Sequence, residues 1–294
     1  MNILVTGANG QLGTAMRTIV ASGFPTGDHY IFSDIVTGED TVSLDITGRE
    51  AVRLVCESEK VDVIVNCAGY TNVDGAESDQ WMADQLNNAA VANLAAVAAE
   101  RDAVLIHIST DYIFDGTSYI PIREDFPASP LGVYGATKLK GERAVAASGC
   151  RSIIIRTAWL YSGAGKNFFL TMRSLLSSRR SITVVADQIG TPTWAGDLAS
   201  LIHRIITERQ LGKTGTYNFS GEGVCSWYDF ACAIKDACGL SGCEIVPCHS
   251  EEYPSKARRP SYSVLDKTLV KKTFGITIPH WHDSLMSCIR SVSP

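Results

Sequence analysis

The first half of the chain alternates short, continuously apolar runs with longer stretches in which apolar residues recur at helical spacing. Ile3-Leu4-Val5-Thr6 reads as a buried strand and Gln11 to Ser22 as a helix. Tyr30 to Ser33 is a second strand, and Asp45 opens the next helix, with Val52, Val55 and Cys56 on one face. Asp62 to Cys67 is a third strand, apolar along almost its whole length, as a strand covered on both faces has to be. An alanine-rich helix from Asp79 to Arg101 leads into the strand Ala103 to Ser109. Past a loop holding Pro121, Pro127 and Pro130, Tyr134 to Ala147 reads as helix and Ser152 to Arg156 as strand. Strand and helix alternating in this way predict an α/β fold, a Rossmann-type doubly wound parallel sheet with right-handed crossovers.

The second half is less regular. Ile182 to Val185 and Thr216 to Phe219 read as late strands around a helix from Ala195 to Glu208, and both are assigned to the same sheet. This predicts a main domain of 1–165 plus about 182–221, and a smaller, discontinuous C-terminal lobe of about 166–181 and 222–294.

Composition narrows the picture. At 45% hydrophobic and 19% charged, the 294 residues suit a globular protein with a sizeable core. The net charge of −5 comes without any block of like charges, which argues against nucleic acid or an anionic membrane as partner. The chain enters its first strand at once with no basic leader, and no stretch approaches the ~20 apolar residues of a membrane span. A cytoplasmic protein with its nine cysteines reduced is the expectation. Cys225, Cys232, Cys238, Cys243 and Cys248, followed by His249, are too widely spaced for paired zinc ligands and read as small core residues, so no metal site is assigned. His280-x-His282 reads as a solvated or capping pair.

Gly7-Ala8-Asn9-Gly10-Gln11-Leu12-Gly13 follows the first strand and opens the first helix. Glycines placed there let the backbone turn tightly and approach a pyrophosphate lying on the helix's positive end. The spacing is one residue wider at its first gap than the commonest dinucleotide fingerprint, but its place between strand and helix carries the same chemistry. Asp34 ends the second strand, where a carboxylate accepts hydrogen bonds from the adenosine ribose and repels a 2′-phosphate. No Arg or Lys follows in Ile35-Val36-Thr37-Gly38, so the residues lean towards NADH or mixed use over strict NADPH. Asp45 and Ile46 fall where the adenine would lie, Asp45 serving equally as a helix cap.

Tyr134 and Lys138 stand four apart at the start of the helix after the fourth strand, on one helical face. That strand ends in Ser109-Thr110-Asp111, at the carboxyl edge where open α/β sheets place ligands. A hydroxyl donor, a phenol and an ammonium converging there form a carbonyl-reducing set. Thr110 would hold the substrate oxygen, Tyr134 would supply the proton, and Lys138 would lower the phenol's pKa towards working pH.

Together these residues resemble the extended short-chain dehydrogenase/reductase family. More narrowly, they resemble the branch that reduces dTDP-linked 4-keto-6-deoxysugars to rhamnose-type products. The resemblance covers nearly the whole chain. It runs through Val65 to Asp74, Ser109 to Gly116, Tyr134 to Glu142, Arg156-Thr-Ala-Trp159-Leu-Tyr161, Asp187 to Thr193 and Arg258 to Asp266, the Arg156 and Arg258 blocks being the more specific. It implies NADPH or NADH bound by Gly7, Gly10, Gln11, Leu12, Gly13, Asp34, Asp45, Ile46, Ala68, Gly69, Tyr70, Thr71, Tyr134 and Lys138. It implies a dTDP-linked sugar bound by Thr110, Asp111, Trp159, Asn167 and Arg259, with Tyr134 as proton donor. Trp159 offers a pyranose a flat apolar face. Some relatives are dimers bridged by Mg²⁺ through outer carboxylates, a set not recognisable here, so monomer and homodimer both stay open. Two other readings share these blocks: a nucleotide-sugar 4-epimerase or dehydratase, and a non-catalytic regulatory subunit of the methionine adenosyltransferase type.

Overall fold

The computed structural model describes residues 1–23, 27–38 and 40–292. The chain runs β1 (Asn2–Thr6), α1 (Gln11–Ser22), β2 (His29–Asp34), β3 (Val42–Ser43), α2 (Arg49–Ser58), β4 (Val63–Asn66), α3 (Val73–Ser78), α4 (Gln80–Asp84), α5 (Ala90–Glu100), β5 (Val104–Thr110) and α6 (Val133–Ser148). Then follow β6 (Arg151–Thr157), β7 (Leu160–Tyr161), α7 (Phe168–Ser178), β8 (Ser181–Val185), β9 (Ile189–Gly190), β10 (Thr193–Trp194) and α8 (Ala195–Thr207). The chain ends with β11 (Gly215–Asn218), β12 (Cys225–Ser226), α9 (Trp227–Ala237), β13 (Glu244–Cys248), α10 (Thr268–Phe274) and α11 (Trp281–Val292).

Seven strands make one sheet in the order β11-β6-β5-β4-β1-β2-β3, and every neighbouring pair is parallel. Continuous apolar runs produce this layout because each inner strand buries both faces. Ile3, Val5, Val63, Val65, Ile106 and Ile155 face α1 and α8, while Leu4, Ile64, Leu105 and Ile154 face α2 and α5. The order reverses between β1 and β4, and that switch point opens the crevice in which such sheets bind ligands.

The second half corrects one expectation. β11 joins the sheet beside β6 as read from the sequence. β8 does not, pairing in parallel with β13, from Ser181↔Glu244 to Val185↔Cys248. Ile182 and Val184 then pack with Phe169, Phe230, Ile234 and Leu285 in a separate core, so this strand belongs to the smaller lobe. Its β-branched run signals a strand, but a strand's partner is a non-local matter that local pattern does not carry. Asp45 likewise does not open α2. Its carboxylate accepts from the backbone and hydroxyl of Thr47, and the helix starts at Arg49.

Asp79 to Arg101 is helical as expected, but it is not uniform: residues Gln85–Ala89 form a π-helical turn between α4 and α5. His280 caps as the sequence suggested, its Nδ1 accepting from the backbone N–H of His282 at 3.3 Å. Cys225, Cys243 and Cys248 are buried and Cys232 and Cys238 half-buried. Among the described residues no group of three or more His, Cys, Asp or Glu is placed to hold a metal ion, and no helix is long and apolar enough to cross a membrane.

Candidate active site

The β1–α1 end of the site is built around two glycines. Gly7 has φ +66°, a conformation that suits a residue without a Cβ. A Cβ there would also lie 2.6 Å from the backbone nitrogen of Ala68, and one on Gly13 would lie 2.3 Å from the carbonyl oxygen of Gly7. The β1–α1 loop therefore sits directly against the chain leaving β4. Gly10 is the N-cap of α1 and supplies no side-chain cap, so Gln11, Leu12 and Gly13 present first-turn N–H groups to any anion placed there. Asp34 ends β2 beside this loop, its Oδ2 accepting from the Asn9 backbone N–H at 3.0 Å. A helix terminus without a cap, with a carboxylate one strand away, fits the pyrophosphate and ribose of a dinucleotide. Ile46, by contrast, is a core residue, 4% exposed and packed with Leu44 and Val52.

The loop after β4 runs from this end to the chemical end. Ala68 N–H donates to Asn66 Oδ1, and Tyr70 N–H donates to Asn87 Oδ1 at 2.9 Å. Asn87 returns Nδ2 to the Tyr70 carbonyl and to the hydroxyl of Thr137. It lies within the π-helical turn, a geometry that re-aims a side chain and recurs at functional sites. Nothing in the sequence marks Asn87 beyond a polar residue in an alanine-rich helix. Thr71 is exposed beside this loop.

Gly69 lies next to Lys138: a Cβ on the glycine would be 3.9 Å from the Lys138 ammonium. β4 ends at Asn66, so the carbonyl of Ile108, one residue further along β5, has no strand partner on that side. Lys138 Nζ takes it at 2.6 Å. Burial holds the Lys138 pKa down at about 8, against the opposing pull of Glu142.

One turn earlier, Tyr134 meets the end of β5. Thr110 is its hydrogen-bond partner and also donates to Asp111 Oδ1 at 3.0 Å. The Tyr134 phenol is raised above its ordinary value, chiefly by desolvation, and Lys138 does not reverse this. The expectation that the ammonium draws the phenol down to working pH is therefore corrected. The half-buried phenol thus stays protonated at neutral pH. Asp111 is 1% exposed, and burial pushes its carboxyl up to about 6 despite hydrogen bonds from Ser263 and Thr110.

Tyr112 stands edge-on to Tyr134, ring centroids 5.5 Å apart. Arg259 reaches in from the lobe, its Nη1 3.4 Å from the Tyr112 hydroxyl and its Nη2 2.9 Å from Asp74 Oδ2. Asp74 in turn accepts from the backbone of Lys256 and Ala257, which locks this arm against α3.

Trp159, in the turn between β6 and β7, has φ +48°. A bulky residue in the left-handed region costs on the order of 1–3 kcal/mol and persists only where its surroundings hold it. Its indole borders Gly190, where a Cβ would lie 2.6 Å from Trp159 Cε2 and 2.9 Å from Ser263 Oγ. Trp227 stacks on it, ring centroids 3.6 Å apart and planes 9° from parallel. One face of Trp159 is thus covered by a second indole, which corrects the simple view of a free flat face.

Asn167 is the N-cap of α7. Its Oδ1 accepts from Leu170 N–H, and its Nδ2 donates to the carbonyls of Ser162 and Ala164, so its amide is engaged within its own loop. That loop leans on the cofactor end, Ser162 Oγ lying 3.3 Å from Gln11 Oε1. The structure thus gathers Thr110, Asp111, Tyr134 and Lys138 at one point on the sheet edge, with Trp159 and Arg259 around them. The sequence offers Tyr112 and Ser263 only as members of matching blocks, without a role, and does not mark Asn87 or Trp227.

With that geometry in place, comparison with known proteins gives the family. The profile described as the RmlD substrate binding domain matches residues 1–293. The chain belongs to this family. A dTDP-4-dehydrorhamnose reductase of Burkholderia thailandensis is 39% identical over 99% of both chains. The crystal structure of a dTDP-4-dehydrorhamnose reductase from Clostridium acetobutylicum superposes with a TM-score of 0.90 at 40% identity, covering 99% of each chain. A dTDP-4-dehydrorhamnose reductase of Bacillus anthracis, solved in complex with NADP, matches with the same score at 32% identity and the same coverage. These relatives of the RmlD family match the chain from end to end, smaller lobe included.

Proposed function

We propose that this RmlD-family chain reduces the C4 keto group of dTDP-4-dehydro-β-L-rhamnose to give dTDP-β-L-rhamnose, with NADPH or NADH as cofactor, in deoxysugar synthesis. The observation that carries the reading is the junction at Gly69. The loop bordering the dinucleotide end touches Lys138, and the same helical face brings Tyr134 to Thr110.

The residues divide the work as follows. Gly7, Gly10, Gln11, Leu12 and Gly13 hold the pyrophosphate, Asp34 the adenosine ribose and the Asp45-Ile46 backbone the adenine edge. Ala68, Gly69, Tyr70 and Thr71 line the path to the nicotinamide, whose ribose Lys138 holds. When bound, the reduced nicotinamide supplies hydride to C4. Tyr134 gives its proton to the C4 oxygen, which Thr110 steadies by hydrogen bonding. That arrangement places a protonated acid where negative charge develops. Asp111 fixes Thr110 and binds a sugar hydroxyl, while Trp159 packs on the sugar. Arg259 borders the same space, and Asn167 acts by shaping the loop ahead of α7.

The test is incubation of purified protein with the dTDP-linked 4-keto-6-deoxy-L-sugar and each of NADH and NADPH, with the C4 configuration of the product read by NMR. The expected result is oxidation of one or both cofactors in step with a rhamnose-configured product. No turnover with either cofactor overturns the proposal. Stoichiometric, tightly held NAD together with C4 epimerisation of a nucleotide sugar would replace it with the epimerase reading.

A further inference from the structure

We propose that Trp227 is a positioning residue for the sugar, acting through Trp159; this rests on the reductase reading above. Trp159 is held in a left-handed backbone conformation that its own chemistry disfavours. Its carbonyl accepts from Thr193 N–H at 3.2 Å, which fixes the turn but leaves the side chain free to rotate. What fixes the ring is contact with Gly190 and with Trp227. Beside the ring is Gly190, where a Cβ would lie 2.6 Å from Trp159 Cε2 and 2.9 Å from Ser263 Oγ. The glycine therefore admits the indole beside Ser263, whose hydroxyl bonds the site carboxyl Asp111. Trp227 stacks on one face of the ring, centroids 3.6 Å apart.

Trp227 is itself well anchored. It opens α9, whose start is tied by a reciprocal Ser226–Asp229 capping box. Phe168, the first residue of α7, packs on its ring at 4.6 Å. Two helices of the smaller lobe thus converge on the one side chain that holds the sugar-facing indole. Both indoles stay half-buried instead of disappearing into the lobe's core. A pair placed only for stability would gain more from full burial.

The test uses Trp227→Ala and Trp227→Phe in the full-length protein, read in two ways. Closely stacked indoles couple in far-ultraviolet circular dichroism, and loss of that couplet in either variant reports loss of the pair. Steady-state kinetics then separates the two substrates. W227A is expected to raise the KM for the sugar nucleotide about 10-fold, the scale of an aromatic pair. The KM for NAD(P)H should be unchanged, and W227F should recover most of the loss. A W227A enzyme without the couplet but with a wild-type sugar-nucleotide KM overturns the inference, as does a parallel rise in both KM values. If W227A does not fold, the cycle of W159F, W227F and the double variant decides. Non-additive effects on the sugar-nucleotide KM support the coupling, and additive ones refute it. Wild-type protein inactive on the ketosugar would instead sink the reductase reading, a separate outcome.

Discussion

Arg156 and Glu142 form a buried, two-pronged ion pair. Arg156 Nη2 lies 2.7 Å from Glu142 Oε2 and Arg156 Nε lies 3.0 Å from Glu142 Oε1. Glu142 is one helical turn beyond Lys138, so this pair and the bond from Lys138 to the Ile108 carbonyl bolt α6 to two adjacent strands. The guanidinium also donates to the Glu124 carbonyl at 2.8 Å, fixing the loop after β5. The helix that carries Tyr134 and Lys138 is thus held by its polar side, which explains how a helix with so much charge among its buried residues keeps one orientation.

Removing one partner should therefore be severe. Glu142→Ala leaves a buried guanidinium unpaired and is expected to destabilise the fold by about 3–5 kcal/mol in urea denaturation. Replacing both residues by apolar ones of similar size should cost much less. Equal losses in the single and double variants would show that packing, not charge, dominates at this position.

Tyr134→Phe keeps the ring and its edge contact with Tyr112 but removes the acid. Turnover should fall at least ~100-fold, the usual scale for a general acid. Binding of NADPH or NADH, followed by fluorescence titration, should be retained. A Phe variant at near wild-type rate would take Tyr134 out of the mechanism.

Lys138 is held at about 8 by burial, so its ammonium is present below that pH and is lost above it. If it holds the cofactor ribose as a charged donor, kcat/KM for the cofactor should decline as pH rises through about 8. Lys138→Arg stays charged throughout, and its profile should lose that alkaline limb even where its absolute rate is poor. A limb retained in the arginine variant would assign it to another group.

Asp111 makes a stability prediction of definite sign. Its folded pKa, about 6, lies above the ordinary 3.8, so the folded state binds the extra proton between those values. The stability this group allows is complete below about pH 4 and is lost as pH rises through about 6, a penalty on the order of 3 kcal/mol when fully charged. Asp111→Asn should consequently melt higher than wild type at pH 7, with the gap closing towards pH 4. A gap independent of pH would mean the carboxylate is not the source.

Asp34 should govern cofactor choice. With Asp34→Ser, the carboxylate that repels a 2′-phosphate is gone, and kcat/KM for NADPH relative to NADH should rise at least ~10-fold. An unchanged ratio would place the ribose elsewhere.

How much of this was legible beforehand differs by region. β1, the glycine loop and α1 are readable because a buried parallel strand, a tight turn and an amphipathic helix each leave a local pattern, and Gln11–Ser22 matches the expected helix end to end. The face shared by Tyr134 and Lys138 follows from helical spacing alone. β8 was misplaced because Ile182 to Val185 specifies a strand but not its partner, and Glu244 to Cys248 is distant in sequence. Asn87 was invisible because a π-turn has no residue code, and Trp227 because a stack between two lobes is a tertiary fact. The direction of the phenol's shift is not legible in the sequence, because spacing to a lysine is local whereas desolvation depends on everything packed around the ring.

The path of the chain between the two cores has an evolutionary consequence. After β6 it leaves for the lobe with α7 and β8, returns to the sheet with α8 and β11, and departs again for α9 and β13. It comes back with α10 and finishes in the lobe with α11. The smaller lobe is therefore laced through the sheet domain and cannot be cut out as a cassette or exchanged by a single recombination. Change in the smaller lobe has to come by substitution in place, not by exchange of a unit.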